Sequence, residues 1–198
     1  MTQLIPRFYD VAAGRITVNG LDVQAWDLAA LRHQIAFVPQ TAVLFHGTIR
    51  ENLQWGKADA TDEGCFQALE TAQCREFVEK LPEGLDTMVM ENGKNFSGGQ
   101  RQRLTIARAL IRKPHLLILD DSLSALDYQT DLDLRQALAR DLDSAMIIIS
   151  QRVRSIQQAK EILVLDSGRL VGKGTHEALL LSSSEYQAIV ASQEEEHD

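Results

Sequence analysis

The segment Asn95-Phe96-Ser97-Gly98-Gly99-Gln100-Arg101-Gln102-Arg103 carries the sharpest chemical signal in the sequence. Ser97 is a good helix N-cap, and Gln100 stands at the third helical position, from which a side chain reaches back to the cap. Capping accounts for both residues. It leaves Gly98 and Gly99 unexplained, because glycine in a first turn costs roughly 0.5–1 kcal/mol relative to alanine. Bare N–H groups at the positive end of a helix, together with the Ser97 hydroxyl, form a cradle for phosphate. The second signal is the apolar run Leu116-Leu117-Ile118-Leu119, stopped by Asp120-Asp121 and followed by Ser124-Ala125-Leu126-Asp127. A carboxylate at the C-terminal mouth of a buried parallel strand suits holding Mg²⁺ beside a nucleotide. Capping a turn or the next helix is the structural alternative for Asp121, and an equal one for Asp127.

Such groups need a scaffold of strands and helices. Gly14 to Gly20 reads as a short strand followed by an Asn-Gly turn. Asp27 caps a short helix through Arg32, and Ile35-Ala36-Phe37-Val38 is a buried strand ending at Pro39-Gln40. From Thr48 to about Lys94 the chain is mostly helical, opening on the capping-box spacing of Thr48 and Glu51. The helix from Ser97 runs to about Arg112, where Lys113-Pro114 breaks it ahead of the Leu116 strand. A helix over Tyr128 to Asp141, a strand over Ala145 to Ile149 and a short helix near Ser155 follow. A strand pair around Asp166-Ser167-Gly168 and helices from Thr175 and Glu185 close the chain. Alternating strands and helices of these lengths predict an α/β core with a mainly parallel sheet and a helical subdomain, about residues 48–112, inserted into it. Thr2 to Tyr9 reads as the tail of a helix with no cap before it.

Charge and composition bound the function. Twenty Lys plus Arg against 28 Asp plus Glu give a net charge of -8, which argues against wrapping nucleic acid, since that needs a basic face. Glu194, Glu195, Glu196 and Asp198 crowd the last five residues and read as a solvated end. Cys65 and Cys74 form neither a disulfide framework nor a zinc pattern, which fits a reducing compartment. No apolar run approaches the roughly 20 residues that cross a bilayer.

Taken together, these motifs resemble the nucleotide-binding domain of an ABC transporter, in the family's order and over nearly the whole chain. Pro39-Gln40 resembles the Q-loop, and Leu44 to Asn52 is similar to the segment that follows it in exporters. Phe96 to Arg103 resembles the signature motif, Leu116 to Asp121 the Walker B strand, and Ser124 to Asp127 the D-loop. Ile147 to Arg152 aligns with the switch segment, Gly174-Thr175-His176-Glu177 with the usual C-terminal stretch, and Met90 to Lys94 with a segment that contacts transmembrane loops. The implied fold is an α/β, P-loop NTPase-like ABC ATPase core. The implied ligands are ATP and Mg²⁺.

Three departures shape the expected role. No G-x-x-x-x-G-K-[ST] phosphate loop occurs; Gly168 to Gly174 has the wrong spacing and lies in a strand-turn region. The resemblance therefore implies a chain truncated just beyond that loop, lacking the N-terminal strands and inactive alone. Asp121 stands where the family places a catalytic glutamate; one methylene fewer withdraws the carboxylate by about 1.5 Å, and a general base works within about 2.6–3.2 Å. Gln151 replaces the switch histidine, and an amide cannot shuttle a proton as imidazole does. An intact signature beside these changes resembles the degenerate half of a heterodimeric exporter.

The resemblance then assigns roles residue by residue. Asp120 and Gln40 hold Mg²⁺, with Asp121 and Gln151 in degenerate catalytic positions. Ser97, Gly98, Gly99 and Gln100 bind the partner's nucleotide, and Asp127 lies at the dimer seam. The groove lined by Gln40 to Glu51 receives a transmembrane coupling helix. The implied partners are a second ATPase subunit and transmembrane domains, with no nucleic acid. The implied place is the cytoplasmic face of a bacterial plasma membrane, reached only through the transmembrane partner, or the cytoplasm for an isolated fragment. Two alternatives stand beside this reading: a non-catalytic remnant or regulatory module docking on a partner ATPase, and a soluble ABC ATPase acting on DNA or ribosomes. The acidic charge disfavours the second.

Overall fold

A computed structural model describes residues 1–194; the acidic residues Glu195, Glu196 and Asp198 lie outside the described residues, as does the side chain of Glu194. The chain divides into two units, Met1–Ile149 and Ser150–Asp198.

In the first unit β1 (Thr17–Val18) and β2 (Leu21–Asp22) form a hairpin. Its turn residues Asn19 and Gly20 have φ of 52° and 78°, the left-handed pair that a two-residue hairpin turn requires. Asp27 accepts a hydrogen bond from the Ala30 N–H to start α1 (Leu28–Gln34), which runs directly into β3 (Ile35–Val38). Next come β4 (Gly47–Thr48), α2 (Ile49–Gln54), α3 (Asp62–Thr71), α4 (Arg75–Glu79) and β5 (Met88–Val89). The Thr48–Glu51 capping box that opens α2 is present in both directions. α5 (Gly98–Leu110), β6 (Leu116–Asp120), α6 (Tyr128–Asp141) and β7 (Ala145–Ile149) complete the unit.

The three longer strands make the parallel sheet that the apolar runs predict, in the order β3-β6-β7. β6 is central, and Leu117, Ile118 and Leu119 are fully buried, as expected for a strand covered on both faces. One hydrophobic cluster joins the sheet to the helical middle: Val38, Leu117 and Leu119 share it with Leu53, Leu69, Val78, Ile106 and Leu134.

The start of the chain is a helix end in tightened form. Thr2 to Leu4 is a 3-10 turn, the Phe8 N–H reaches the Gln3 carbonyl at 3.0 Å, and Arg7 turns left-handed at φ 51°, the closure of a helix C-terminus. The Arg32 guanidinium donates to the end carbonyls of Pro6 at 3.1 Å and Arg7 at 2.8 Å.

In the second unit α7 (Val153–Ile156) precedes the antiparallel pair β8 (Ile162–Asp166) and β9 (Arg169–Gly174), then α8 (His176–Ser182) and α9 (Ser184–Glu194). Ser167 and Gly168 make the β8–β9 turn with φ of 48° and 78°. Val153, Ile162, Val164, Leu179 and Tyr186 are its core. Gly168 to Gly174 is thus a turn and a strand, as its spacing predicts.

Candidate nucleotide site

The C-terminal ends of β3 and β6 bring three of the predicted residues together. β3 leads into Pro39-Gln40, and β6 ends at Asp120, which pairs in register with Ile149 of β7. Gln40 Nε2 donates to Asp121 Oδ2 at 2.8 Å, joining residues 81 positions apart. Asp121 is held at its backbone: its N–H donates to the Ile149 carbonyl at 2.9 Å, and its own carbonyl accepts from the Ser124 hydroxyl at 2.7 Å. Its φ of 48° turns the chain off the strand. Asp120 Oδ2 accepts from the Thr2 hydroxyl at 3.3 Å, a contact that motif spacing does not predict.

The donor chemistry fits Mg²⁺. Carboxylate and amide oxygens are hard ligands, and Mg²⁺ ordinarily takes one or two protein carboxylates with the remainder from phosphates and water. Among the described residues no group of three or more His, Cys, Asp or Glu could hold a metal. A cavity of about 630 Å³ lies elsewhere, against His115 and Ser144. Those residues precede β6 and β7, at the opposite strand ends from where open parallel sheets bind ligands.

The second cluster is the start of α5. Ser97 Oγ accepts from the Gln100 N–H at 3.2 Å, and Gln100 Oε1 accepts from the Ser97 N–H at 2.9 Å. Among the described residues no neighbour makes glycine necessary at Gly98 or Gly99. A β-carbon on Gly98 would meet nothing nearer than the Arg101 side chain at 4.0 Å. One on Gly99 would make ordinary contacts at 3.6 Å with the Ala125 carbonyl oxygen and Leu126. Neither glycine has a positive φ, and N–H groups in a first turn have no intrahelical acceptor. The first turn of α5 therefore presents open N–H groups to an outside acceptor.

Gly99 borders the turn leading to Asp127, so the start of α5 and the 124–127 segment form one surface. The capping alternative for Asp127 is realised: its carboxylate accepts from the Thr130 N–H at 3.0 Å and hydroxyl at 2.8 Å. Those two donors pull its pKa below the usual carboxylate range. No hydrogen bond joins residues 97–100 to Gln40, Asp120 or Asp121, so the candidate residues of this unit form two clusters. Gln151 belongs to the second unit, where it is exposed and its carbonyl accepts from the Gln193 amide.

A third feature adds residues outside the Gln40 to Glu51 segment to the groove expected there. Phe45 and Trp55 stack with ring centroids 5.1 Å apart, and the Arg108 guanidinium covers Phe45 at 5.2 Å. They line a groove of about 270 Å³ with Phe37 and Arg112. Trp55 is 71% exposed. Arg108 Nη2 donates to the Val43 carbonyl at 2.8 Å, while its Nη1 is buried with no hydrogen-bond partner.

The fold and the order of these clusters define the class, an α/β domain of the ABC ATPase type. The family model described as ABC transporter matches residues 1–124, and this chain belongs to that family. It is 47% identical over 191 residues to YfiB, an ABC transporter ATP-binding protein of Bacillus subtilis, covering 96% of this chain and 33% of that one. It is 41% identical over 190 residues to an ATP-dependent lipid A-core flippase of Desulfotalea psychrophila, covering 96% of this chain and 33% of the flippase. Among solved structures, a bacterial Atm1-family ABC exporter with ATP bound matches with a TM-score of 0.93 and 37% identity, over 97% of this chain and 34% of the exporter. The chain spans about a third of the length of these relatives.

Proposed function

We propose that this chain is part of the ATP-binding subunit of an ABC exporter and supplies the degenerate side of a heterodimer. The observation that carries this reading is the paired Gly98-Gly99 opening of α5, which the chain's own packing does not crowd, on a molecule whose β6 ends at Asp120 with Asp121 directly after it. Across a dimer seam, the Ser97 hydroxyl and the open N–H groups stabilise charge on the partner's nucleotide, an electrostatic contribution. Asp120 and Gln40 hold Mg²⁺ at the chain's own site, whose bound form neutralises phosphate charge. Asp121 is too short to act as an efficient base there, and Gln151 carries no proton. The signature surface thus serves the partner in trans.

The Phe45–Trp55–Arg108 groove takes an amphipathic helix from the transmembrane part. Its aromatic and arginine lining is of the kind that concentrates binding energy. Attachment to the cytoplasmic face of a membrane follows from this docking; no helix among the described residues is long and apolar enough to cross a membrane. The test is ATP turnover by the assembled transporter. Gly99→Ala removes most turnover by blocking the partner's site, whereas Asp121→Ala changes total turnover less than twofold. The reverse pattern would assign hydrolysis to this chain's own site and end the proposal. With no phosphate loop in its sequence, the 198-residue chain alone turns over no ATP.

A further inference from the structure

We propose that Asp121 is a positioning residue for Gln40: it fixes which end of the Gln40 amide faces the cation. This rests on the reading of Gln40 and Asp120 as the Mg²⁺ side of a nucleotide site. It assigns Asp121 a task other than that of a shortened base.

The two ends of a glutamine amide have nearly the same shape and opposite chemistry. Only Oε1 can ligate a cation, and only Nε2 can donate. An ionised carboxylate only accepts, so the 2.8 Å contact with Asp121 Oδ2 commits Nε2 to that side and turns Oε1 away from it, with no donor to Oε1 among the described residues. The direction of control follows from what holds each residue. Gln40 is exposed on the loop after β3, where its amide can rotate. Asp121 is tied at its N–H to Ile149 and at its carbonyl to Ser124, so the tied residue orients the exposed one.

The backbone gives a reason for aspartate at this position. Asp121 sits at φ 48°, a left-handed conformation that aspartate and asparagine visit several-fold more readily than most side chains. A short carboxylate on a fixed, left-handed base is a rigid acceptor. Without it the amide populates both orientations, and one of them turns a donor toward the metal.

Two substitutions separate orientation from proton transfer and also suit the backbone. Asp121→Gly accepts the positive φ and removes the acceptor. Asp121→Asn keeps an acceptor oxygen for Nε2 and cannot serve as a base. In the nucleotide-free chain the Gln40 side-chain amide pair is identified by NMR as the signal lost in Gln40→Leu. The expected result is one downfield, slowly exchanging proton in the wild type and in Asp121→Asn, collapsing to solvent-like values in Asp121→Gly. An amide pair unmoved by Asp121→Gly, or lost equally in Asp121→Asn, overturns the proposal.

The second measurement is Mn²⁺–ATP binding to the assembled transporter, read by the Mn²⁺ resonance signal. Asp121→Gly is expected to weaken binding about three- to tenfold, with Asp121→Asn within twofold of wild type. Equal weakening in both would make charge, not orientation, the operative property and refute the positioning role. A wild type that binds no Mn²⁺–ATP refutes the nucleotide site itself, an outcome distinct from failure of the first measurement, which uses no nucleotide.

Discussion

Gly56 lies so close to α5 that a β-carbon on it would stand 2.2 Å from the carbonyl oxygen of Arg108 and 2.8 Å from Ile111. The Gly56 N–H also donates to the Leu53 carbonyl at 2.8 Å. Its neighbour Trp55 is presented to solvent from this tight seat, beside Phe45 and Arg108. Backbone against backbone leaves no flexible atom to give way. Gly56→Ala is therefore expected to destabilise the chain by about 1–3 kcal/mol, seen as a lower urea midpoint at unchanged slope. The proposed docking of a transmembrane helix is expected to weaken as well, because Trp55 is displaced.

Gly98 and Gly99 behave in the opposite way. With no close contact for a β-carbon at either position and no positive φ, alanine at either site improves the first turn of α5 by about 0.5–1 kcal/mol. Gly98→Ala and Gly99→Ala are each expected to raise or preserve the thermal midpoint. Turnover by the partner's site in the assembled transporter falls at the same time. Stability and function moving apart is the signature of a surface shaped for something outside the chain. A drop in both would make the glycines structural.

What was legible in the sequence was local chemistry. The capping boxes of Thr48–Glu51 and Ser97–Gln100, the Asn19-Gly20 turn and the apolar run of β6 depend on neighbours within a few residues, and each forms as its spacing predicts. The illegible parts depend on partners far along the chain. The turn over Thr2 to Tyr9 is closed at its end by Arg32, 25 and 26 positions from the carbonyls it binds. The break between α3 and α4 falls at Gln73, left-handed at φ 56° and bonded at its carbonyl by Arg103, 30 positions on. Motif order placed Gln40 and Asp121 near one nucleotide, but spacing alone could not reveal that they bond directly. The exposed pairing of Phe45 with Trp55 has no periodic signal, since one aromatic lies in a loop and the other at the end of α2.

Asp127 makes the stability of α6 depend on pH. Its carboxylate is held below the ordinary range by the Thr130 N–H and hydroxyl. A depressed native pKa stabilises the fold above the unfolded value and is lost as pH falls through the native one. The contribution is thus complete at neutral pH and fades below about pH 4, the unfolded carboxylate range. Asp127→Asn retains a good cap without the charge. Its urea midpoint is expected to fall less between pH 6 and about pH 3 than that of the wild type. Parallel curves for the two proteins would remove the charge from the account.

The two thiols report on global folding. Cys65 is 0% and Cys74 1% exposed, both within the main core cluster, and neither forms a disulfide. Burial raises both thiol pKa values, Cys74 to beyond the ordinary range, so the reactive thiolate is scarce at neutral pH and unreachable where it forms. Arg50 opposes the shift at Cys65 and Arg103 opposes it at Cys74, but desolvation dominates at each. Native protein at pH 8 is expected to show no fast reaction with a chromogenic disulfide, and two equivalents after unfolding in urea. Because reaction must wait for opening, the labelling rate in mild urea tracks the population of the opened core. Cys74, beside the Gln73 break that Arg103 pins, is expected to label first when Arg103→Ala releases that contact. Unchanged protection of Cys74 in Arg103→Ala would show that apolar packing alone closes the joint between α3 and α4.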